Sequence, residues 1–136
     1  MKNLVLSFFI LSGLILISCT KEPATQRYKY LTEVTWVSDT LFANGEDASD
    51  PGELLEKFKG EVVFRTNGTG VFGVYEGTWN LAYDDTQIMI KADSLPMRLV
   101  TQIIELNAVS LKITTEYPNV IIPTEPIQIR MTFNSK

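Results

Sequence analysis

Histidine is absent from this 136-residue chain, and cysteine occurs once, as Cys19. The common nucleophilic triads need a histidine as general base, and typical zinc sites draw their ligands from histidine and cysteine. Both kinds of site are therefore excluded. An enzyme would have to be built from carboxylates or lysine, and we expect a protein that is not an enzyme and holds no cofactor or metal.

Positive charge is also scarce, since twelve lysine and arginine residues face sixteen aspartate and glutamate residues and the formal net charge is −4. Proteins that bind nucleic acid carry clustered basic side chains, because contacts to phosphate supply much of the affinity. The chain has no such cluster. We therefore exclude nucleic acid as a partner.

Long apolar runs are limited to residues 4–17, which follow Lys2 and are interrupted by two serines and a glycine. This run is shorter than the roughly 20 residues that cross a bilayer as a helix. It fits the apolar core of a secretory signal, which is about 7–15 residues long. We predict that residues 1–18 are a signal peptide that is removed.

The predicted signal ends in Leu16-Ile17-Ser18-Cys19. This sequence resembles the bacterial lipobox, in which a branched apolar residue, a tolerant position and a small residue precede an invariant cysteine. The resemblance implies cleavage before Cys19 and lipid attachment to Cys19, which would anchor the protein permanently because stable anchoring takes about two acyl chains. An ordinary secretory signal with an incidental cysteine is the alternative.

The lipobox resemblance also implies a location in the bacterial cell envelope, with the lipid anchor in the outer membrane and the face of that membrane left open. The residues that follow Cys19 are polar and include Pro23. We predict a flexible tether over residues 19–29 and one folded domain over residues 30–136.

Short segments rich in β-branched and aromatic residues recur through the predicted domain, separated by glycine, asparagine and proline, as in all-β proteins. We predict strands over residues 30–42, 61–65, 70–75, 77–82, 87–91, 97–106, 109–115 and 127–134. Eight antiparallel strands in chain order favour an up-and-down β-barrel, which can hold one small ligand. A two-sheet sandwich is the alternative, and only residues 116–126 are long enough for the crossover it usually needs.

Residues 44–60 do not show a strand pattern. Asp50-Pro51-Gly52-Glu53 matches the start of a helix, with an acceptor at the N-cap, proline at the first position and glutamate three residues after the cap. Leu54, Leu55 and Phe58 then follow at helical spacing. We predict a helix of about two turns between the first and second strands, lying against one mouth of the sheet.

Asn67-Gly68 allows two hairpin turns. A two-residue turn pairs Phe64 with Val71. A three-residue turn, with Gly68 as a bulge, pairs Val62 with Phe72. The two differ by one residue, which moves every side chain to the opposite face. We predict the bulged turn, because it buries both phenylalanines and each buried Phe contributes roughly 1.5–3 kcal/mol. The predicted inner face is Val62, Phe64, Phe72 and Val74.

Several short motifs occur in a characteristic order. They are Trp36 in the first strand, Phe64-x-x-Asn67-Gly68-Thr69-Gly70, Gly77-Thr78-Trp79-Asn80-Leu81, Asp84-Asp85 before Ile88 and Ile90, and Glu105-Leu106-Asn107 before Ser110-Leu111-Lys112-Ile113. In this order the chain resembles the lipocalin-like lipoproteins of Bacteroidetes-type bacteria, over most of residues 31–115. The resemblance implies a calycin-type barrel and a role with a small ligand.

True lipocalins carry Gly-x-Trp in the first strand, and an arginine of the last strand packs over that tryptophan. This chain has Val34-Thr35-Trp36 instead, without the glycine. Arg130 is the only arginine at the matching position, but the alternation of the last strand places it on the outer face.

The predicted ligand site is formed by large apolar side chains of the inner face. These are Trp36, Phe64, Phe72, Trp79, Met131 and Phe133. Plain core packing is the alternative, because eight strands enclose just enough space for their own side chains. We therefore expect a small hydrophobic ligand in the barrel, or else a solid barrel that docks an envelope protein through Val63, Val71 and Tyr75 on its outer face.

Two groups of carboxylates are candidate functional sites. Glu46, Asp47, Asp50 and Glu53 offer oxygen ligands for calcium, but helix capping and an acidic solvated loop explain them better. Asp84 and Asp85 are adjacent in a predicted turn, where neighbouring side chains diverge, so we do not expect a catalytic pair.

Overall fold

A computed structural model describes residues 24–136. The predicted signal peptide and Cys19 therefore lie outside the described residues. The structure contains one α-helix, α1 (Gln26–Thr32), and nine strands within that range. The strands are β1 (Trp36–Ala43), β2 (Glu46–Asp47), β3 (Glu61–Phe64), β4 (Thr69–Phe72), β5 (Tyr75–Ala82), β6 (Gln87–Ala92), β7 (Leu99–Leu106), β8 (Ser110–Tyr117) and β9 (Ile127–Ser135).

Eight of the strands form a closed ring. From β3 to β9 each strand pairs antiparallel with the next, and β1 pairs with both β3 and β9. The β1–β9 ladder runs from Trp36 opposite Ser135 to Ala43 opposite Ile129. The short strand β2 pairs only with the end of β1 and stays outside the ring. The predicted eight-stranded up-and-down barrel is confirmed, and the sandwich is excluded.

Alternation along the strands decides which side chains fill the barrel. Ile88 and Ile90 of β6 are buried, as are Leu111 and Ile113 of β8. In β9 the same period buries every second residue and leaves Arg130 exposed. A half-buried strand has this period because successive side chains point to opposite faces. Arg130 therefore lies on the outer surface, as the alternation predicted.

The two ends of the barrel differ. One end, called the closed end here, carries three short turns, at residues 65–68, 83–86 and 107–109. The opposite end, called the mouth here, carries the longer connections, at residues 44–60, 93–98 and 118–126, and the turn of Gly73 and Val74. Because the strands alternate in direction, consecutive connections fall at opposite ends.

Helix α1 covers the closed end. Thr25 caps it, since its Oγ1 accepts a hydrogen bond from the backbone N–H of Tyr28 at 3.2 Å. The Tyr28 ring packs against Trp79 with centroids 5.6 Å apart, and its hydroxyl donates to the Thr66 carbonyl at 3.2 Å. Leu31 is fully buried. A helix of seven residues is not stable alone, so these contacts hold it.

The position of the helix differs from our prediction. Helix α1 precedes the first strand, in a stretch predicted as the end of the tether and the start of strand one. In residues 44–60 the only helical turn is a 3-10 turn at Glu56–Phe58, and the short strand β2 lies where no strand was predicted. Gly52 has φ +87°, and the Glu53 N–H donates to the Asp50 carbonyl at 2.9 Å. These are the features of a type II turn with proline second and glycine third, which stops a helix from starting at Asp50.

The bulged hairpin turn is confirmed. Val62 lies opposite Phe72, and Gly68 has φ +83°, as a three-residue turn requires. Phe64 and Phe72 are both buried. Val74 was predicted to be inside but is 70% exposed, because β4 ends at Phe72 and Val74 belongs to the turn. Tyr75 lies directly opposite Phe72 in the next strand, so it shares the inner face and not the outer one.

Within residues 24–136, no helix has the length and apolar character needed to cross a bilayer.

Leu31 tests whether α1 belongs to the folded domain. We expect Leu31→Ala to lower the free energy of unfolding by about 2–5 kcal/mol, the usual cost of deleting a buried leucine side chain. Lys29→Ala, on the exposed side of the same helix, is the control and should change it by less than about 0.5 kcal/mol. Urea unfolding followed by circular dichroism measures both, and equal effects would show that the helix is not docked.

Candidate functional site: an apolar cavity at the mouth

The interior near the closed end is filled by aromatic side chains. Phe64 packs edge-on against Phe72 and Trp79, with ring centroids 5.6 and 5.1 Å apart. The Trp79 Nε1–H donates to the carbonyl of Arg65 at 3.0 Å, which satisfies the buried indole. These three predicted site residues are therefore brought together as a packed cluster.

The other predicted site residues are also buried. Trp36, which starts β1, is fully buried, and its Nε1 has no hydrogen-bond partner among the described residues. Phe133 and Met131 extend inward from β9. The structure thus places all six predicted residues inside the barrel, and Met131 alone of them reaches the cavity described next.

An apolar cavity of about 110 Å³ lies at the mouth. The residues that line it come from five parts of the chain: Leu54, Leu55, Phe58, Tyr75, Leu95, Leu99, Thr115, Tyr117, Ile129 and Met131. Every one of them is uncharged. An ionised group inside would lose its hydration without a compensating partner, so the cavity suits an apolar group.

Residues 48–59, called the covering segment here, close the mouth from above. Leu55 and Phe58 turn into the barrel and are buried. The Ala48 N–H donates to the Leu41 carbonyl at 2.9 Å, and the Leu55 N–H donates to the Ala48 carbonyl at 2.8 Å. The segment lies against the mouth, as expected for the predicted helix, although its backbone is a series of turns.

A second set of contacts joins the covering segment to the turn between β4 and β5. The Val74 N–H donates to the Lys57 carbonyl at 2.9 Å. The rings of Phe58 and Tyr75 pack with centroids 5.0 Å apart. Access to the cavity therefore depends on how firmly the covering segment holds to this turn.

The main-chain pairing of the barrel wall is incomplete beside the cavity. The ladder between β7 and β8 ends at the pair Gln102–Thr114. Beyond it the Thr115 Oγ1 donates to the Val100 carbonyl at 2.8 Å. Thr115 lines both the inner cavity and an outer groove of about 590 Å³. One side-chain hydrogen bond thus takes the place of main-chain pairing at this point.

The acidic residues near the mouth do not converge. Asp47 Oδ1 accepts hydrogen bonds from the backbone N–H of Ser49 at 2.8 Å and from its hydroxyl at 2.7 Å. The backbone bond contributes most, and together they lower the pKa of Asp47. Within residues 24–136, no three histidine, cysteine, aspartate or glutamate side chains are grouped to hold a metal ion.

Asp84 and Asp85 lie in the turn between β5 and β6, where both have positive φ angles. Arg27 Nη1 donates to the backbone carbonyl of Asp85 at 2.9 Å. The pair thus lies at the closed end of the barrel, opposite the cavity, where it shapes the turn.

Sequence reasoning placed the apolar residues of the covering segment on a helix at the mouth but did not assign them to a ligand site. It also missed Leu95, Leu99, Tyr117 and Ile129 as cavity residues. The alternation that puts Arg130 outside puts Ile129 inside. Nothing in its local pattern separates a residue that lines empty space from one that packs against a neighbour. That difference depends on which loops cross the mouth.

No model of a known protein family matches the chain, and no curated protein matches it.

Gly73 tests the attachment of the covering segment. A Cβ atom there would collide with the Lys57 carbonyl oxygen and lie 2.8 Å from the backbone of Phe58. We expect Gly73→Ala to lower the free energy of unfolding by about 3 kcal/mol, from steric crowding added to a positive φ. Gly45 also has positive φ but is uncrowded, so Gly45→Ala should cost only about 1–2 kcal/mol.

Thermal and urea unfolding compare the two glycine variants. Equal losses would mean that the contact with Lys57 and Phe58 yields easily and that the covering segment is loosely attached.

Proposed function

We propose that this protein is a membrane-anchored, lipocalin-like lipoprotein of the bacterial envelope that binds a small apolar ligand at the mouth of its barrel. The observation that carries the proposal is the uncharged cavity of about 110 Å³ behind the covering segment. A closed barrel with an apolar cavity at one end is a common form of binding site for small molecules.

The size of the cavity limits what enters it. An apolar cavity of about 150 Å³ accepts benzene, and this one is smaller. It therefore suits the branched or linear end of an aliphatic molecule. The remainder of a longer ligand would lie over the mouth, where Leu54, Met97 and Ile122 are each roughly half exposed.

Support for the anchor comes from the sequence around Cys19. The apolar run, its length and the Leu16-Ile17-Ser18-Cys19 ending occur together and in the order that a lipoprotein signal requires. The same signal supports a location in the bacterial envelope. The absence of histidine from the whole chain supports binding in preference to catalysis.

A second candidate function is the docking of an envelope protein. The predicted patch is disrupted, because Tyr75 faces inward and only Val63 and Val71 remain outside. The exposed aliphatic side chains of Val120 and Ile121 at the mouth replace that patch, and their exposure favours protein docking as the second candidate. Crosslinking in cells distinguishes the two functions, because a ligand carrier that acts alone should capture no constant protein partner.

Straight-chain alcohols serve as probes of the cavity. We expect affinity to rise about fourfold with each added methylene, which corresponds to about 0.8 kcal/mol, until the chain fills the cavity. Beyond that length the increase should become smaller, because further methylenes remain partly in water. Chemical-shift changes at Leu99 and Ile129 in NMR titrations measure the affinities.

A cavity-filling variant provides the control for the alcohol series. Ile129→Phe adds bulk at the cavity wall and should abolish binding, whereas Ile104→Phe, on the exposed bulge of β7, should leave it unchanged. Near-UV circular dichroism checks that both variants fold. Binding that survives in Ile129→Phe would place the alcohol elsewhere and overturn the proposed site.

Mass spectrometry tests the anchor independently. We expect the protein isolated from bacterial membranes to begin at Cys19 and to carry the added mass of acyl chains. An N-terminal peptide that retains residues 1–18, or an unmodified Cys19, would contradict the proposal.

A further inference from the structure

We propose that the closed end of the barrel is the surface that faces the lipid of the anchoring membrane, so that the mouth and its cavity point away from it. This inference rests on the proposed anchor at Cys19. Helix α1 follows Thr25 directly, and its side chains reach two turns of the closed end, at Asp85 and Thr66.

The length of chain between the anchor and the helix limits how the barrel can lie. Five residues separate Cys19 from Thr25, and the six residue steps between them reach only about 22 Å even when fully extended. A tilted strand of eight residues raises the barrel wall by about 20 Å. If the mouth faced the bilayer, the linker would have to run the full height of the barrel wall, which is nearly its whole reach. No length would remain to pass the loops of the mouth. The anchor therefore keeps the closed end nearer to the lipid.

Exposed side chains at the closed end fit a lipid surface. Tyr83, in the turn between β5 and β6, is 76% exposed, and Val109, in the turn between β7 and β8, is 63% exposed. Tyrosine suits a membrane interface because its ring is apolar and its hydroxyl remains in contact with water. The two turns lie on the same end of the barrel, so both side chains can meet one flat surface.

The backbone at Tyr83 has an unusual conformation. Tyr83, Asp84 and Asp85 all have left-handed φ angles, between +49° and +60°, which residues other than glycine rarely adopt. The Tyr83 carbonyl accepts hydrogen bonds from the N–H of Thr86 at 3.1 Å and from its hydroxyl at 2.7 Å. This turn is therefore a defined structure that presents the tyrosine to the outside.

Charge at the closed end is balanced. Among residues 24–136, the charged side chains there that form no ion pair with one another are Arg27, Lys29 and Arg65, and Glu33, Asp84 and Asp85. Contact with lipid would thus depend on the anchor and on Tyr83 and Val109 more than on attraction to acidic headgroups. Vesicles of phosphatidylcholine, which carry no net charge, are the appropriate test surface.

Two exposed valines at opposite ends allow a matched experiment. Val109→Cys places a thiol at the closed end, and Val120→Cys places one at the mouth, where Val120 is 91% exposed. In the acylated mature protein, which begins at Cys19, the sulfur of Cys19 is occupied by lipid, so a nitroxide label attaches at the new thiol alone. Each labelled protein is incorporated into phosphatidylcholine vesicles, and electron paramagnetic resonance measures collisions with oxygen and with a water-soluble nickel chelate.

We expect the label at position 109 to lose collisions with the chelate and gain collisions with oxygen, relative to position 120. A label at 120 that is shielded as strongly as the one at 109, or a label at 109 that remains in bulk water, would overturn the orientation while leaving the anchor intact. Labelling of the unsubstituted chain at Cys19 would show a free thiol and would overturn the anchor and the orientation together.

Discussion

The pairing of β1 with β9 is the contact on which the rest of the molecule depends. It joins residues about ninety positions apart and turns a row of hairpins into a ring without exposed edges. The Thr40 and Thr132 hydroxyl groups reinforce it on the outer face, 2.6 Å apart. Once the ring is closed, every inward side chain must fit a space of fixed width, and the aromatic cluster and the cavity are both results of that limit.

The two ends of the ring meet this limit differently. At the closed end, Phe64, Phe72 and Trp79 fill the space and α1 seals it with Leu31. At the mouth the side chains are mostly aliphatic and do not meet completely, and the covering segment encloses the remaining space. The end that is filled by aromatic side chains and the end that leaves space for a ligand are therefore opposite ends of one ring.

The strands were predictable because their signal is local. In β6, β8 and β9 the alternation of apolar and polar residues shows which side chains face inward. For β3 and β4, the greater burial of phenylalanine identified the correct register. The helix was misplaced because two local signals competed in Asp50-Pro51-Gly52-Glu53, and the glycine in its left-handed conformation favoured a turn. The cavity was beyond prediction because Leu55, Leu95 and Thr115 meet only after the loops of the mouth have crossed.

The positions of the two tryptophans have a consequence for spectroscopy. Trp79 touches Tyr28 of the sealing helix, Trp36 is buried at the start of β1, and neither lines the cavity. The tryptophan fluorescence of this protein, excited selectively, is therefore a reporter of helix docking and ring integrity. We expect an apolar molecule that enters the mouth to leave the tryptophan emission unchanged, because neither indole lines the cavity. An unchanged emission spectrum would therefore carry no information about occupancy.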